Sequence, residues 1–281
     1  MRLENRVAIV TGGARGIGRG AALELAKDGA RVVVADRRAD EAKAVAERIQ
    51  QETGRPALGL AMEQTKPEDV ARMVEATVKE FGEIDILFAN AGFSRLVPFL
   101  DITAEQWQRM IDVNLTGTFS VCQAVARQMV AQKKGGRMIV TASVMADFNG
   151  NQQAHYCAAK AGVKLLGKCM AAELGNHRIT VNVISPGVIA TEMTTPLLEE
   201  PGIANMVRAI TPLGRWGEAR EVGRLVAFLA SDDAAYINGQ VINVDGGQSL
   251  PLVPPWRPLD YTEPYVVDWE TPRQRYPFVR S

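Results

Sequence analysis

Histidine is almost missing from this chain: His155 and His177 are the only two in 281 residues. They lack the close helical spacing of a His-x-x-x-His pair, which argues against a histidine-based metal centre. Cysteine is nearly as scarce. Cys122, Cys157 and Cys169 match neither a zinc-ligand pattern nor a redox Cys-x-x-Cys pair, and three scattered thiols suit a reducing, cytoplasmic setting. Excess charge of either sign is also missing, since 32 Lys and Arg balance 32 Asp and Glu. No long-range field therefore draws the chain to nucleic acid or to an anionic membrane. No apolar run has the length of a bilayer span. The opening residues read as a strand entering a glycine-rich turn, not as a signal peptide. Internal repeats and low-complexity linkers are absent.

What is present is an apolar fraction of 47%, enough for a sizeable single core. It is distributed in short runs at 7–10, 32–35, 57–61, 84–89, 138–140, 181–184 and 241–244. Most of these runs are rich in β-branched residues and too short for helices, so they read as strands buried on both faces. Longer amphipathic stretches separate them. Thr65 with Glu68, and Thr103 with Gln106, have the three-residue spacing of a capping box. Gly29, Gly54 and Gly82 stand where left-handed helix C-caps are needed. Strand alternating with helix predicts a doubly wound, Rossmann-type three-layer α/β domain over residues 1–250 with a seven-stranded parallel sheet. Composition changes after Gly247. Residues 251–281 are rich in proline and aromatics, including Tyr261, Tyr265, Trp269, Tyr276 and Phe278. Such a tail is expected to lie on its own domain or on a neighbouring subunit.

The first strand leads into Thr11-Gly-Gly-Ala-Arg-Gly-Ile-Gly18. Gly12, Gly16 and Gly18 permit a tight turn, and with Ile17 they open a helix whose free N–H groups suit a pyrophosphate. Asp36 closes the second strand about 20 residues further on and can accept hydrogen bonds from an adenosine ribose. Its charge disfavours a 2′-phosphate, whereas Arg15 and Arg37 would favour one. The balance points to NAD, with NADP as the alternative. Asn90-Ala91-Gly92 follows the fourth strand, where small residues leave room for a cofactor ribose.

Past the fifth strand come Ser143 and then Tyr156 and Lys160, which are four residues apart on one helix face. A free phenol titrates near pH ~10, and a neighbouring ammonium favours its ionised form. The pair is therefore expected to perform acid–base chemistry.

These motifs stand in the order of the short-chain dehydrogenase/reductase family, which the chain resembles over residues 5–248. The resemblance rests on Thr11-Gly-x-x-x-Gly-Ile-Gly18, Asn90-Ala-Gly92, Asn114 in Val-Asn-Leu-Thr-Gly-Thr, Ser143, Tyr156-x-x-x-Lys160 and Pro186-Gly187. It implies that Tyr156 exchanges a proton with the substrate oxygen and that Ser143 stabilises the charge developing there. It also implies that Lys160 binds the nicotinamide ribose and that Asn114 positions a relay water. Pro186, Gly187, Ile189 and Thr191 would border the nicotinamide. Glu63 stands where the family commonly has an adenine-proximal Asp, and the tail beyond residue 250 is longer than usual.

Substrate choice is expected to fall to the loops. Asn149, Gln153 and His155, in a polar stretch beside Ser143 and Tyr156, suggest a polyol, a sugar or another hydroxylated alcohol or ketone. The competing readings are a 3-oxoacyl thioester reductase using NADPH and a non-catalytic nucleotide-binding regulator. The resemblance also implies a homotetramer or homodimer built on the stretches 104–132 and 153–174.

Overall fold

Every strand expected from the apolar runs enters one sheet. The computed structural model describes residues 1–250. The strands are β1 (Val7–Thr11), β2 (Arg31–Asp36), β3 (Ala57–Ala61), β4 (Ile86–Ala89), β5 (Gly136–Thr141), β6 (Ile179–Pro186) and, last in the chain, β9 (Val241–Val244). Their order is β3-β2-β1-β4-β5-β6-β9, and every pairing is parallel. Between them the two-residue strands β7 (Ile189–Ala190) and β8 (Gly217–Glu218) form a separate small sheet.

Alternation along each strand divides the core between two faces. Ala8, Val10, Val32 and Val34 point to one side. There they pack with α1 (Gly16–Lys27), α2 (Ala39–Thr53) and α9 (Ala219–Ala230). Ile9, Val33, Leu87 and Val140 point to the other side, against α3 (Pro67–Phe81), α5 (Gly117–Gln132) and α6 (Ala154–Leu174). Every residue of β1 is buried, as a central strand covered on both faces must be. The remaining helices are α4 (Ala104–Ile111), α7 (Thr195–Leu198) and α8 (Pro201–Ile210).

The helix ends follow local chemistry with one exception. Gly54 and Gly82 close α2 and α3 in the left-handed conformation at φ 68° and 86°. Thr103 and Gln106 form the expected reciprocal capping box of α4. Thr65 and Glu68 do not form one. The helix starts one residue later, at Pro67 with Lys66 as N-cap, and Asp69 instead accepts the Glu63 N–H at 3.0 Å. Proline lacks a donor and suits the first helical position, so it moves the boundary. The tail call at 251–281 lies outside the described residues.

The chain reverses its direction of winding between β1 and β4, which are neighbours in the sheet. In such a sheet the crevice beyond the carboxyl ends of these strands is the place for a ligand.

Candidate active site

That crevice is an open cleft of about 480 Å³. Residues from both halves of the sheet line it, among them Gly12, Arg15, Asp36, Asn90, Asn114, Ser143, Tyr156, Lys160, Ile189 and Thr191. The sequence singled out all of these, and they now share one wall or another of a single space.

The glycine turn is shaped by contact with its own neighbours. Gly12 sits at φ 64°, and a Cβ there would meet the Cα of Ala91 at 2.8 Å. A Cβ on Gly18 would lie 2.1 Å from the Gly12 carbonyl oxygen, so α1 can start this close to β1 only with hydrogen at that position. Gly18 does not itself line the cleft; Gly16 and Ile17 do. Thr11 joins the two strand ends. Its Oγ1 accepts the backbone N–H groups of Asn90 at 3.0 Å and Ala91 at 3.1 Å, and Asn90 Nδ2 donates back to the Thr11 carbonyl at 3.2 Å.

Asp36 is buried at the tip of β2. One carboxylate oxygen accepts the Ala14 N–H at 3.3 Å and the other the Arg38 N–H at 3.0 Å. Arg15 is drawn into a two-point ion pair with Glu41, Nε–Oε2 at 2.5 Å and Nη2–Oε1 at 2.6 Å. Arg38, not Arg37, lines the cleft; Arg37 is exposed. Glu63 and its neighbour Gln64 exchange the expected emphasis. Glu63 is half-buried, does not line the cleft, and contacts Thr65. Gln64 is buried, and its amide donates to the carbonyls of Ala91 at 3.1 Å and Val113 at 2.6 Å. It thereby ties the end of β3 to the Asn90–Gly92 loop and to the helix that carries Asn114.

The stretch expected as one helix from 104 to 132 is interrupted. Residues Asp112–Thr116 form a single π-helical segment between α4 and α5, a local widening that often marks functional positions. Asn114 occupies it and is fully buried. Its amide pairs with the backbone of Phe93 in both directions, Nδ2 donating to Phe93 O at 3.0 Å and Oδ1 accepting from Phe93 N at 3.2 Å. The side chain thus holds the loop after Gly92 in place, as a strand neighbour would.

Ser143 follows β5, and Tyr156 and Lys160 stand on the first two turns of α6. Ser143 Oγ accepts the Met145 N–H at 3.2 Å, and its hydroxyl faces the cleft beside the Tyr156 phenol. Lys160 Nζ donates to the Thr141 carbonyl at 2.8 Å and lies 5.8 Å from the Tyr156 ring centroid. Burial lowers the Lys160 pKa from 10.5 to about 8. Burial also raises the phenol of Tyr156, and contact with the Ser143 side chain offsets this only in part. The direction is thus upward, where the ammonium is expected to lower it.

On the far side, Pro186, Gly187, Ile189 and Thr191 border the same space. Thr191 is followed by Glu192, whose Oε2 accepts the Gly16 N–H at 3.0 Å and whose Oε1 pairs with Arg19 at 2.7 Å. Of the expected substrate residues, Ser143 and Tyr156 face the cleft and three do not line it. Asn149 is exposed. Gln153 Nε2 donates to Ser94 Oγ at 2.9 Å, so it supports a cleft residue from behind. His155 is buried with Nδ1 unpartnered, and burial lowers its pKa. Phe93, Ser94, Glu192, Met193 and Thr194 take their place in the lining. They come from the loop after Gly92 and from the segment after Thr191, both of which the sequence offers as loops around the cleft.

The site suits an adenine dinucleotide on two structural grounds: Gly12 and Gly16 line the cleft without side chains where β1 turns into α1, and a buried carboxylate stands at the tip of β2. Comparison with known proteins agrees. A family model described as enoyl-(acyl carrier protein) reductase matches residues 12–249. The chain is 39% identical over 250 residues to the Escherichia coli 3-oxoacyl-(acyl-carrier-protein) reductase FabG, covering 89% of this chain and 100% of that one. It is 38% identical over 248 residues to an L-rhamnose-1-dehydrogenase of Scheffersomyces stipitis, covering 87% and 96%. A crystal structure of a short-chain type dehydrogenase/reductase from Mycobacterium marinum superposes with a TM-score of 0.84 at 40% identity, covering 89% of this chain and 97% of that one. With its parallel seven-stranded sheet, its glycine turn and its Tyr-x-x-x-Lys helix, this chain belongs to the short-chain dehydrogenase/reductase family of oxidoreductases.

Proposed function

We propose that the protein interconverts a secondary alcohol and a ketone with NAD, on a polyol, a sugar or another hydroxylated small molecule. The observation that carries this reading is the convergence of Ser143, Tyr156 and Lys160 on the cleft that also contains Gly12, Gly16 and Asp36. When bound, the nicotinamide supplies or accepts the hydride. The glycine turn and Asp36 would hold the adenosine half, and Lys160, Ile189 and Thr191 the nicotinamide half.

The protein's own groups then divide the work. The Ser143 hydroxyl donates to the substrate oxygen and favours the charge that develops on it. Tyr156 gives its proton to that oxygen during reduction and takes it back during oxidation. Its raised pKa keeps it a proton donor at neutral pH. Lys160 spends one N–H on Thr141 and has two left for ribose hydroxyls. Asn114 fixes the loop through Phe93. Its backbone carbonyl accepts from the Thr118 hydroxyl at 2.9 Å, and Asn114 would position the water that relays the proton outward.

The choice of NAD is supported by the Asp36 carboxylate, which a 2′-phosphate would approach at a cost. A sugar or polyol substrate is supported by the rhamnose-oxidising relative and by the Ser94–Gln153 pair behind the cleft wall. The E. coli relative favours a second reading, an NADPH-dependent 3-oxoacyl thioester reductase. Steady-state kinetics with sugar alcohols and acyl thioesters, each with both cofactors, separate the two. Preference for NADPH with acyl thioesters would overturn the first. Tyr156→Phe tests the chemistry in either case: turnover falls by about 10²–10⁴-fold while NADH still binds.

Assembly into a dimer or tetramer is supported by Trp107, Phe119 and Leu165, large apolar side chains exposed on α4, α5 and α6. Light scattering tests it. Among the described residues no helix is long and apolar enough to cross a membrane.

A further inference from the structure

The adenosine end of the cleft holds an arrangement that the reading above does not use. Two guanidinium groups, Arg15 and Arg38, line the space beside Asp36. By themselves they would make a receptor for a phosphate on the adenosine ribose, since a planar fork of donors matches phosphate oxygens. Neither is free for that task. Glu41, in the first turn of α2, accepts both forks of Arg15 and stands 3.6 Å from Arg38 Nε. Arg38 also lies 3.9 Å from Asp36, to which it gives its backbone N–H. Two cations are thereby matched by two carboxylates, one buried at the strand tip and one at the helix start. Asp36 repels a 2′-phosphate directly. Glu41 acts on the receptor instead, because a guanidinium whose forked face is filled by a carboxylate has to give up that pair before it can meet a phosphate.

We propose that Glu41 is a cofactor-specificity residue, which occupies Arg15 and so keeps a latent 2′-phosphate site closed. This rests on the reading that the cleft takes NAD in preference to NADP. It assigns discrimination to two carboxylates with different tasks, Asp36 by repulsion and Glu41 by masking.

The test is the affinity of the full-length protein for NADH and for NADPH, read from nicotinamide fluorescence at fixed salt and pH 7, in the wild type and in Glu41→Ala, Glu41→Gln and the double variant Arg15→Gln/Glu41→Ala. Glu41 is partly exposed at the start of a helix, so removing it leaves the core untouched, and two different replacements guard against a local effect of one. Freeing a guanidinium for a charge-assisted contact should shift the NADPH-to-NADH affinity ratio toward NADPH by about tenfold or more in Glu41→Ala. The added Arg15→Gln should cancel that gain. A wild-type protein that binds NADPH more tightly than NADH refutes the NAD reading itself. A wild type that prefers NADH, with a ratio that moves less than about threefold in both single variants, refutes the masking role of Glu41 alone. A gain that survives Arg15→Gln refutes Arg15 as the masked group.

Discussion

Replacing Lys160 by methionine should make the protein more stable while it damages the site. The buried ammonium has a pKa of about 8, against 10.5 for an unburied lysine. A base whose pKa falls on folding destabilises the native state wherever both states are protonated, and the penalty disappears as pH rises through the interval between the two values. At pH 7 the penalty is about 3 kcal/mol, and at pH 10 it is about 1 kcal/mol. Methionine fills a similar volume without charge but gives up the hydrogen bond to the Thr141 carbonyl, a loss of about 1 kcal/mol. The net gain is about 2 kcal/mol at pH 7, equivalent to a rise in Tm of roughly 4–8 °C for a domain of this size. Urea unfolding of wild type and Lys160→Met at pH 7, 8.5 and 10 measures it. The stability gap between the two proteins should close by about 2 kcal/mol across that range. A gap that does not change with pH would refute the argument that burial depresses this lysine. In the same variant NADH binding should weaken, because the remaining Lys160 donors are those proposed for the ribose.

Three further outcomes follow from the geometry. With a phenol whose pKa is raised by burial, alcohol oxidation should speed up as pH rises through the alkaline range, whereas ketone reduction should not need that rise; initial rates in both directions check this. Gln64→Leu should cost about 2 kcal/mol in urea unfolding, since it leaves the Ala91 and Val113 carbonyls without their donor, and it should weaken NADH binding through the displaced Asn90–Gly92 loop. A thiol reagent at neutral pH should label exposed Cys169 quickly and Cys122 only on unfolding, because Cys122 is buried with its pKa pushed up to about 12; peptide mapping distinguishes them.

Much of the framework was legible along the chain because it depends on local rules. Strands show as short apolar runs, and all seven runs became strands of the sheet, although β3 and β9, at its two edges, are half-buried and not covered on both faces as expected. The Tyr156–Lys160 spacing needs only helical periodicity. Capping at Thr103 is contained within four residues and formed as expected, whereas at Thr65 a proline two positions later displaced the start of the helix. Arg37 and Arg38 are adjacent and alike in sequence. Which of them meets the cleft depends on where the chain turns after β2, and no pattern in composition reveals that.

The linear sequence by itself determined the fold class, the glycine turn and the placing of Tyr156 and Lys160 on one helix face, because each follows from steric freedom or periodicity over a few residues. Tertiary structure alone decided which groups answer one another across long stretches of chain: Glu41 on Arg15, Gln64 on Ala91 and Val113, Glu192 on Gly16, Asn114 on Phe93. The burial that raises the Tyr156 phenol likewise arises only in the folded chain. Such pairings and burials depend on distances in space, and those come into being only when the sheet and its two helical layers close.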